Sequence, residues 1–208
     1  MRRGLSLIEL IFTIVIIALV FTVIPKFIFA LNKSDRLTIR QDALFNGISM
    51  VHLISNLSWD ENNTNSNDIL HVNFKGLDDC NQSSYYRVGG FVGSRNCENN
   101  LSASLIGDDG EGSYEFYNDI DDFNNQDINA SYYSLHVKVS YIDDNITFSN
   151  QKAFINLTDT KESNSTNLKL VDLNITYEGN RGVKGSQIAQ FNYISSNIGQ
   201  IYINKRIW

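Results

Sequence analysis

The chain reads as an α+β protein in which one long N-terminal helix, transmembrane over its first half, packs on an antiparallel β-sheet head. Three observations predict this. An uncharged run from Leu10 to Pro25 reads LIFTIVIIALVFTVIP. Apolar residues then recur at helical spacing, and beyond about residue 70 the pattern changes to alternation of apolar and polar positions.

The apolar run, extended back to Leu5 and on through Phe27, Ile28 and Phe29, is long enough to cross a bilayer, which takes about 20 residues at about 1.5 Å rise each. Arg2 and Arg3 precede it and hold that end in the cytoplasm, so everything after Lys26 is expected on the far side. The helix is expected to continue past the membrane, because Leu37, Leu44, Ile48 and Val51 fit a 3.6-residue period while Arg36, Arg40, Gln41 and Asn46 lie elsewhere on the circumference. That stripe is expected to face the head. The helix should end near Asn56 to Trp59, before the polar loop Asp60 to Asp68; from Leu5 to about residue 57 it would be roughly 80 Å long.

Tyr133, Leu135, Val137, Val139 and Tyr141 share one face of a strand, with Ser134, His136, Lys138 and Ser140 on the other. Val171, Leu173, Ile175 and Tyr177 repeat the pattern, Ala189, Phe191 and Tyr193 begin a third strand, and Leu70, Val72 and Phe74 suggest a shorter one. The stretch Tyr193 to Trp208 reads as a last strand. Short polar connections favour antiparallel pairing, with one apolar sheet face on the helix.

Composition and motifs narrow the function. With 17 basic and 23 acidic residues among 208 the net charge is −6, which repels phosphate backbones and argues against general nucleic-acid binding. No nucleophile motif, phosphate loop or dinucleotide fingerprint is present. The glycine-bearing stretch Gly107 to Gly112 carries acids that would repel a phosphate, and His52, His71 and His136 stand in separate predicted elements without paired acids or cysteines. The sequence therefore predicts a protein that is not an enzyme.

Two features set the N-terminus apart from an ordinary secretory signal, which is cut after its apolar core. Gly4 lies before the core, and Glu9 is an acid within the apolar stretch, where a carboxylate costs roughly 2.5 to 3.5 kcal/mol on insertion scales. Arg3-Gly4-Leu5-Ser6-Leu7-Ile8-Glu9-Leu10 resembles the processing motif of type IV prepilins and type II secretion pseudopilins. The resemblance implies the pilin fold and the role of a minor pilin or pseudopilin in a type IV pilus or secretion filament. It implies cleavage by a prepilin peptidase between Gly4 and Leu5, N-methylation of Leu5, and pairing of Glu9 with the N-terminal amine of a neighbouring subunit. A buried charge becomes tolerable when an opposite charge meets it, so Glu9 would set the axial register of packed helices.

The implied partners are other pilin or pseudopilin subunits, the peptidase, an inner-membrane assembly platform and membrane lipid. Pro25 would supply a helix kink. The implied divisions are a leader at 1–4, a transmembrane half-helix at 5–31, a periplasmic half-helix at 32–58 and a β-rich head at 59–208. The implied location is the inner membrane with the head in the periplasm, then the filament or cell surface. The rival reading is a single-pass anchored periplasmic binding protein or adhesin that does not polymerise.

Placement outside the cytosol opens two kinds of covalent chemistry. Cys80 and Cys97 can close a polar loop as a disulfide, the alternative being two free thiols. Asn-x-Ser/Thr recurs, and at Asn62, Asn81, Asn100, Asn129, Asn145, Asn164 and Asn174 an acid stands two residues before the Asn. Independent placement would give roughly one such site or fewer. The pattern resembles the extended acceptor sequence of bacterial N-linked glycosylation, in which the acid aids recognition by a periplasmic oligosaccharyltransferase. Asn62 and Asn164, in the most polar stretches, are the favoured acceptors and Asn174, in a predicted strand, the poorest. No cofactor is expected. Asp119, Asp121 and Asp122 are calcium candidates only, since Phe123 breaks the alternation of a calcium loop; Asn118 to Asn124 also resembles an acidic-aromatic motif of some minor pilins.

Overall fold

A computed structural model of the chain describes residues 6–64, 69–74, 77–78, 80–81, 86–87, 101–107, 110–143, 147–149, 152–154, 162, 164–179 and 183–198. The chain divides into two compact units, Met1–Leu44 and Phe45–Trp208. Helix α1 spans Leu7–Ser55 with Pro25 inside it. It is long and apolar enough to cross a membrane. The large apolar side chains from Leu7 to Leu31 are exposed, as a lipid-facing surface would be. The hydroxyls of Thr13 and Thr22 donate to the Leu10 and Leu19 carbonyls at 2.8 and 2.9 Å, so neither needs water inside an apolar span. At the far end Asn56 Nδ2 donates to the His52 carbonyl at 2.6 Å and satisfies one of the last-turn acceptors. The helix stops at Ser55, one residue short of the expected region.

The second unit is built on four antiparallel strands: β5 (Gln126–Asn129), β6 (Tyr133–Ile142), β9 (Leu168–Tyr177) and β10 (Gln187–Ser196), in the order β10-β9-β6-β5. Short antiparallel pairs surround it: β1 (Asn73–Phe74) with β2 (Leu77–Asp78), β3 (Cys80–Asn81) with β4 (Tyr86–Arg87), and β7 (Thr147–Ser149) with β8 (Lys152–Phe154). On the core face the register sets Leu135, Ile175 and Ala189 in one row and Val137, Leu173 and Phe191 in the next. The last turns of α1 cover this face within the unit. A Cβ added at Gly47 would stand 2.5 Å from Ile175 Cδ1 and 2.9 Å from Phe191 Cε2, and Asn46 donates to the Tyr133 hydroxyl.

Two sequence expectations are corrected. Within the second unit the helix stripe is misphased: Ile48 is 53% exposed, whereas Gly47 and Ile54 are buried. Close approach of a helix to a sheet selects a small residue, which a search for large apolar side chains passes over. The strand expected through Leu70, Val72 and Phe74 is confined to Asn73–Phe74, although Leu70 and Val72 are buried. The second sheet face carries a smaller apolar group, because Ile142, Leu168 and Leu170 are buried together on it with Ile194 packed against them. Strand β5 has no signature in the sequence, since Gln126–Asn129 offers no apolar alternation beyond Ile128. Of the last expected strand, β10 covers 193–196, and residues 199–208 lie outside the described ones.

Candidate functional site

At the helix start Ser6 is the residue before the first turn and Glu9 the third helical position. The Ser6 N–H donates to Glu9 Oε2 at 3.4 Å and the Glu9 N–H donates to Ser6 Oγ at 3.3 Å. This reciprocal pair is a capping box, encoded by the Ser-x-x-Glu spacing that sequence reading took only as part of a processing motif. Both bonds are long, and both residues are exposed, so either can be surrendered to another partner at small cost. Gly4 and Leu5 lie outside the described residues. Pro25 lies within unbroken helix; lacking an N–H, it leaves the Phe21 carbonyl without its usual intrahelical donor.

The head holds a buried ionic cluster that alternation brings into reach. Extending the apolar alternation of β9 back from Val171 puts Lys169 on the core face, in register with Tyr141. Lys169 is fully buried. Its Nζ donates to the Trp59 carbonyl at 2.7 Å, to Asp60 Oδ2 at 3.1 Å and to Asp121 Oδ1 at 2.5 Å, and lies 4.2 Å from the centre of the Trp59 ring. The two acids arrive from segments that run side by side, joined where the Ile120 N–H donates to the Ser58 carbonyl. A third segment closes the group: the Ser104 N–H donates to Asp60 Oδ2 at 3.0 Å and Ser104 Oγ to Asp121 Oδ2 at 3.3 Å.

Asp119 stands beside this cluster and shapes its turn. Its Oδ1 accepts the N–H groups of Asp121 and Asp122 at 2.9 and 3.1 Å, while Asp122 Oδ2 accepts those of Asn118 and Asp119 at 3.0 and 3.2 Å. Burial and the neighbouring Asp121 carboxylate push Asp119 up to about 8, against partial relief from Lys169. Burial likewise raises Asp121 to about 6, with Lys169 opposing. Burial pushes the Tyr141 phenol up, and its hydroxyl donates to the Ser104 carbonyl at 3.1 Å. One ammonium thus serves more carboxyl groups than it can neutralise, and protonation makes up the difference.

The calcium candidates Asp119, Asp121 and Asp122 are therefore brought together, but their oxygens serve backbone amides and Lys169. All three side chains are buried. Among the described residues no group of three His, Cys, Asp or Glu side chains is disposed to hold a metal ion.

One further constellation contradicts the sequence reading of the histidines. His136 has an acid partner, because β5 pairs with β6 and sets Asp127 opposite it. Nδ1 lies 2.6 Å from Asp127 Oδ1 and Nε2 3.1 Å from Thr176 Oγ1. Acid, imidazole and hydroxyl follow the order of a nucleophilic triad, yet Thr176 sits within the interior strand β9, paired through its backbone region with Ser134 and Gln187 on either side. Ladder bonds occupy the neighbouring amides, which an acyl-transfer site would need to aim at an oxyanion. The arrangement serves cross-strand pairing.

Of the sequence-predicted acceptors, Asn62, Asn129 and Asn164 are exposed and Asn174 is half-buried in β9. The side chains of Asn81, Asn100 and Asn145, and the proposed Cys80–Cys97 bond, lie outside the described residues. Compared with known proteins, the chain matches no family model, no curated protein and no solved structure.

Proposed function

We propose that the chain is a minor pilin or pseudopilin, a structural subunit of a type IV pilus or type II secretion-like filament whose work is assembly and not catalysis. The reading rests on one observation: the segment Arg3 to Leu10, with Gly4 before and Glu9 within the apolar stretch, leads directly into an apolar α1 of membrane-spanning length. In this reading a prepilin peptidase cuts between Gly4 and Leu5 and Leu5 is methylated. Glu9 then exchanges its long capping bonds for the charged amine of a neighbouring subunit. Such an exchange is favourable in lipid because an ion pair with a charged amine replaces one long bond to a backbone N–H.

A second reading draws support from the same capping box. Glu9 is hydrogen-bonded within its own helix, so a lone membrane-anchored periplasmic binding protein or adhesin also accounts for it. Two measurements separate the readings. N-terminal sequencing of the native protein is expected to start at methylated Leu5; an intact Met1 favours the anchor. Glu9→Ala is expected to insert into the membrane normally and to be missing from sheared filaments, and normal incorporation of that variant removes the filament role of Glu9.

A further inference from the structure

The sevenfold acid-x-Asn-x-Ser/Thr pattern is not used by filament assembly, and the folded head discriminates among its copies. An acceptor site needs three groups within reach of a transferase: the acid, the asparagine amide and the hydroxyl two residues on. For four copies the structure describes all three.

At Asn62 the acid is Asp60, fully buried and held by Lys169 and the Ser104 amide. Asn62 Nδ2 is itself spent on the Ser102 carbonyl at 2.8 Å. At Asn164 the hydroxyl belongs to Thr166, which is fully buried and donates to the Ile142 carbonyl at 2.6 Å. At Asn174 the site runs along interior strand β9, between β6 and β10, and its Thr176 hydroxyl lies 3.1 Å from His136 Nε2.

Asn129 differs in the exposure of its three groups, although Asp127 is also paired, with His136 Nδ1 at 2.6 Å. It ends the edge strand β5, and residues 130–132 make the connection to β6. Asp127, Asn129 and Ser131 are all exposed, the Asp127 side chain at 62%. Asn129 Oδ1 accepts from Ser134 Oγ at 2.7 Å, a bond that engages the amide oxygen and not Nδ2.

We propose that Asn129 is the site, among these four, at which the folded head receives an N-linked oligosaccharide. This rests on the exported placement of the head and not on polymerisation. The donor is a lipid diphosphate-linked oligosaccharide. The bond from the diphosphate oxygen to C1 of the first sugar breaks, Asn129 Nδ2 bonds to that carbon, the amide gives up one proton, and the lipid diphosphate leaves. Asp127 and Ser131 are read by the transferase and keep their own bonds.

The test uses the full-length chain, purified unmodified and folded in detergent, with an acid-requiring bacterial oligosaccharyltransferase and its lipid-linked donor. Glycopeptide mass spectrometry is expected to find the sugar on the Asn129 peptide and not on those of Asn62, Asn164 or Asn174. Unfolding the chain in urea before a diluted reaction should add those three. Asn129→Gln, Ser131→Ala and Asp127→Ala should each lose the Asn129 glycan, and Asp127→Glu should retain it; the three positions are exposed, and circular dichroism of each variant is expected to match the parent chain. A folded chain that is refused by the transferase, or that is modified at Asn164 or Asn174 as readily as at Asn129, overturns the proposal on its geometry. Native protein arriving bare at Asn129, although the purified chain accepts the sugar, overturns it through the exported placement instead.

Discussion

Lys169 is a charged residue at a position that the alternation of β9 reserves for an apolar one. Its tolerance depends on two carboxylates, a carbonyl and an aromatic face, all supplied from outside its strand. Removing the cation strands Asp60 and Asp121 without it, so Lys169→Met is expected to destabilise the head by about 3 to 5 kcal/mol, read from denaturant midpoints. Adding Asp121→Asn should recover part of that loss. The cluster also fixes the sign of the pH dependence. Asp119 and Asp121 are raised from 3.8 to about 8 and about 6, so the folded head binds protons that the unfolded chain releases. Stability contributed by these groups is full below about pH 4 and falls as pH rises, through about 6 for Asp121 and about 8 for Asp119. Thermal midpoints should decline from pH 5 to 8, and Asp119→Asn should flatten that decline.

Among the elements, the joint between α1 and the sheet depends on absence of bulk. Gly47→Ala gains roughly 1 kcal/mol of helix propensity, but its methyl would meet Ile175 and Phe191 at 2.5 and 2.9 Å. Overpacking costs about 1 to 3 kcal/mol, so the expected net is a small loss for Ala. A loss several times larger is expected for Gly47→Leu, whose side chain leaves no room for adjustment at the ends of Ile175 and Phe191. Urea denaturation of both variants checks the order. The three long strands were legible because each repeats large apolar residues at every second position. Strand β5 was not, because an edge strand with one apolar residue is held by backbone pairing with β6. The missing β5 is also why His136 lacked its acid in the sequence reading: Asp127 precedes it by nine residues and faces it only after the hairpin closes.

At the scale of the whole molecule, the apolar half of α1 and the acidic head set the partition between membrane and water. Every large apolar side chain from Leu7 to Leu31 is exposed, and burying even part of that surface in lipid outweighs the solubility of the rest at about 25 cal/mol per Å². Full-length chain is expected in the membrane fraction after alkaline carbonate washing. A chain lacking residues 5–31 should move to the soluble fraction, and its remaining in the pellet would show that the head carries a second attachment.

Sequence alone determined the membrane-length helix, its approximate end, the three long strands and the spacing of Gly4 and Glu9 around the start of the apolar run. Each is written in neighbouring residues, as an unbroken apolar run, a two-residue alternation or a fixed spacing, and needs no knowledge of what lies across the fold. Tertiary structure decided which helix face is covered, what neutralises Lys169, where Asp119 to Asp122 turn their oxygens, and which copies of the acid-x-Asn-x-Ser/Thr pattern keep all three side chains at the surface. Those outcomes depend on strand register and on segments more than a hundred residues apart, and local periodicity carries no information about either.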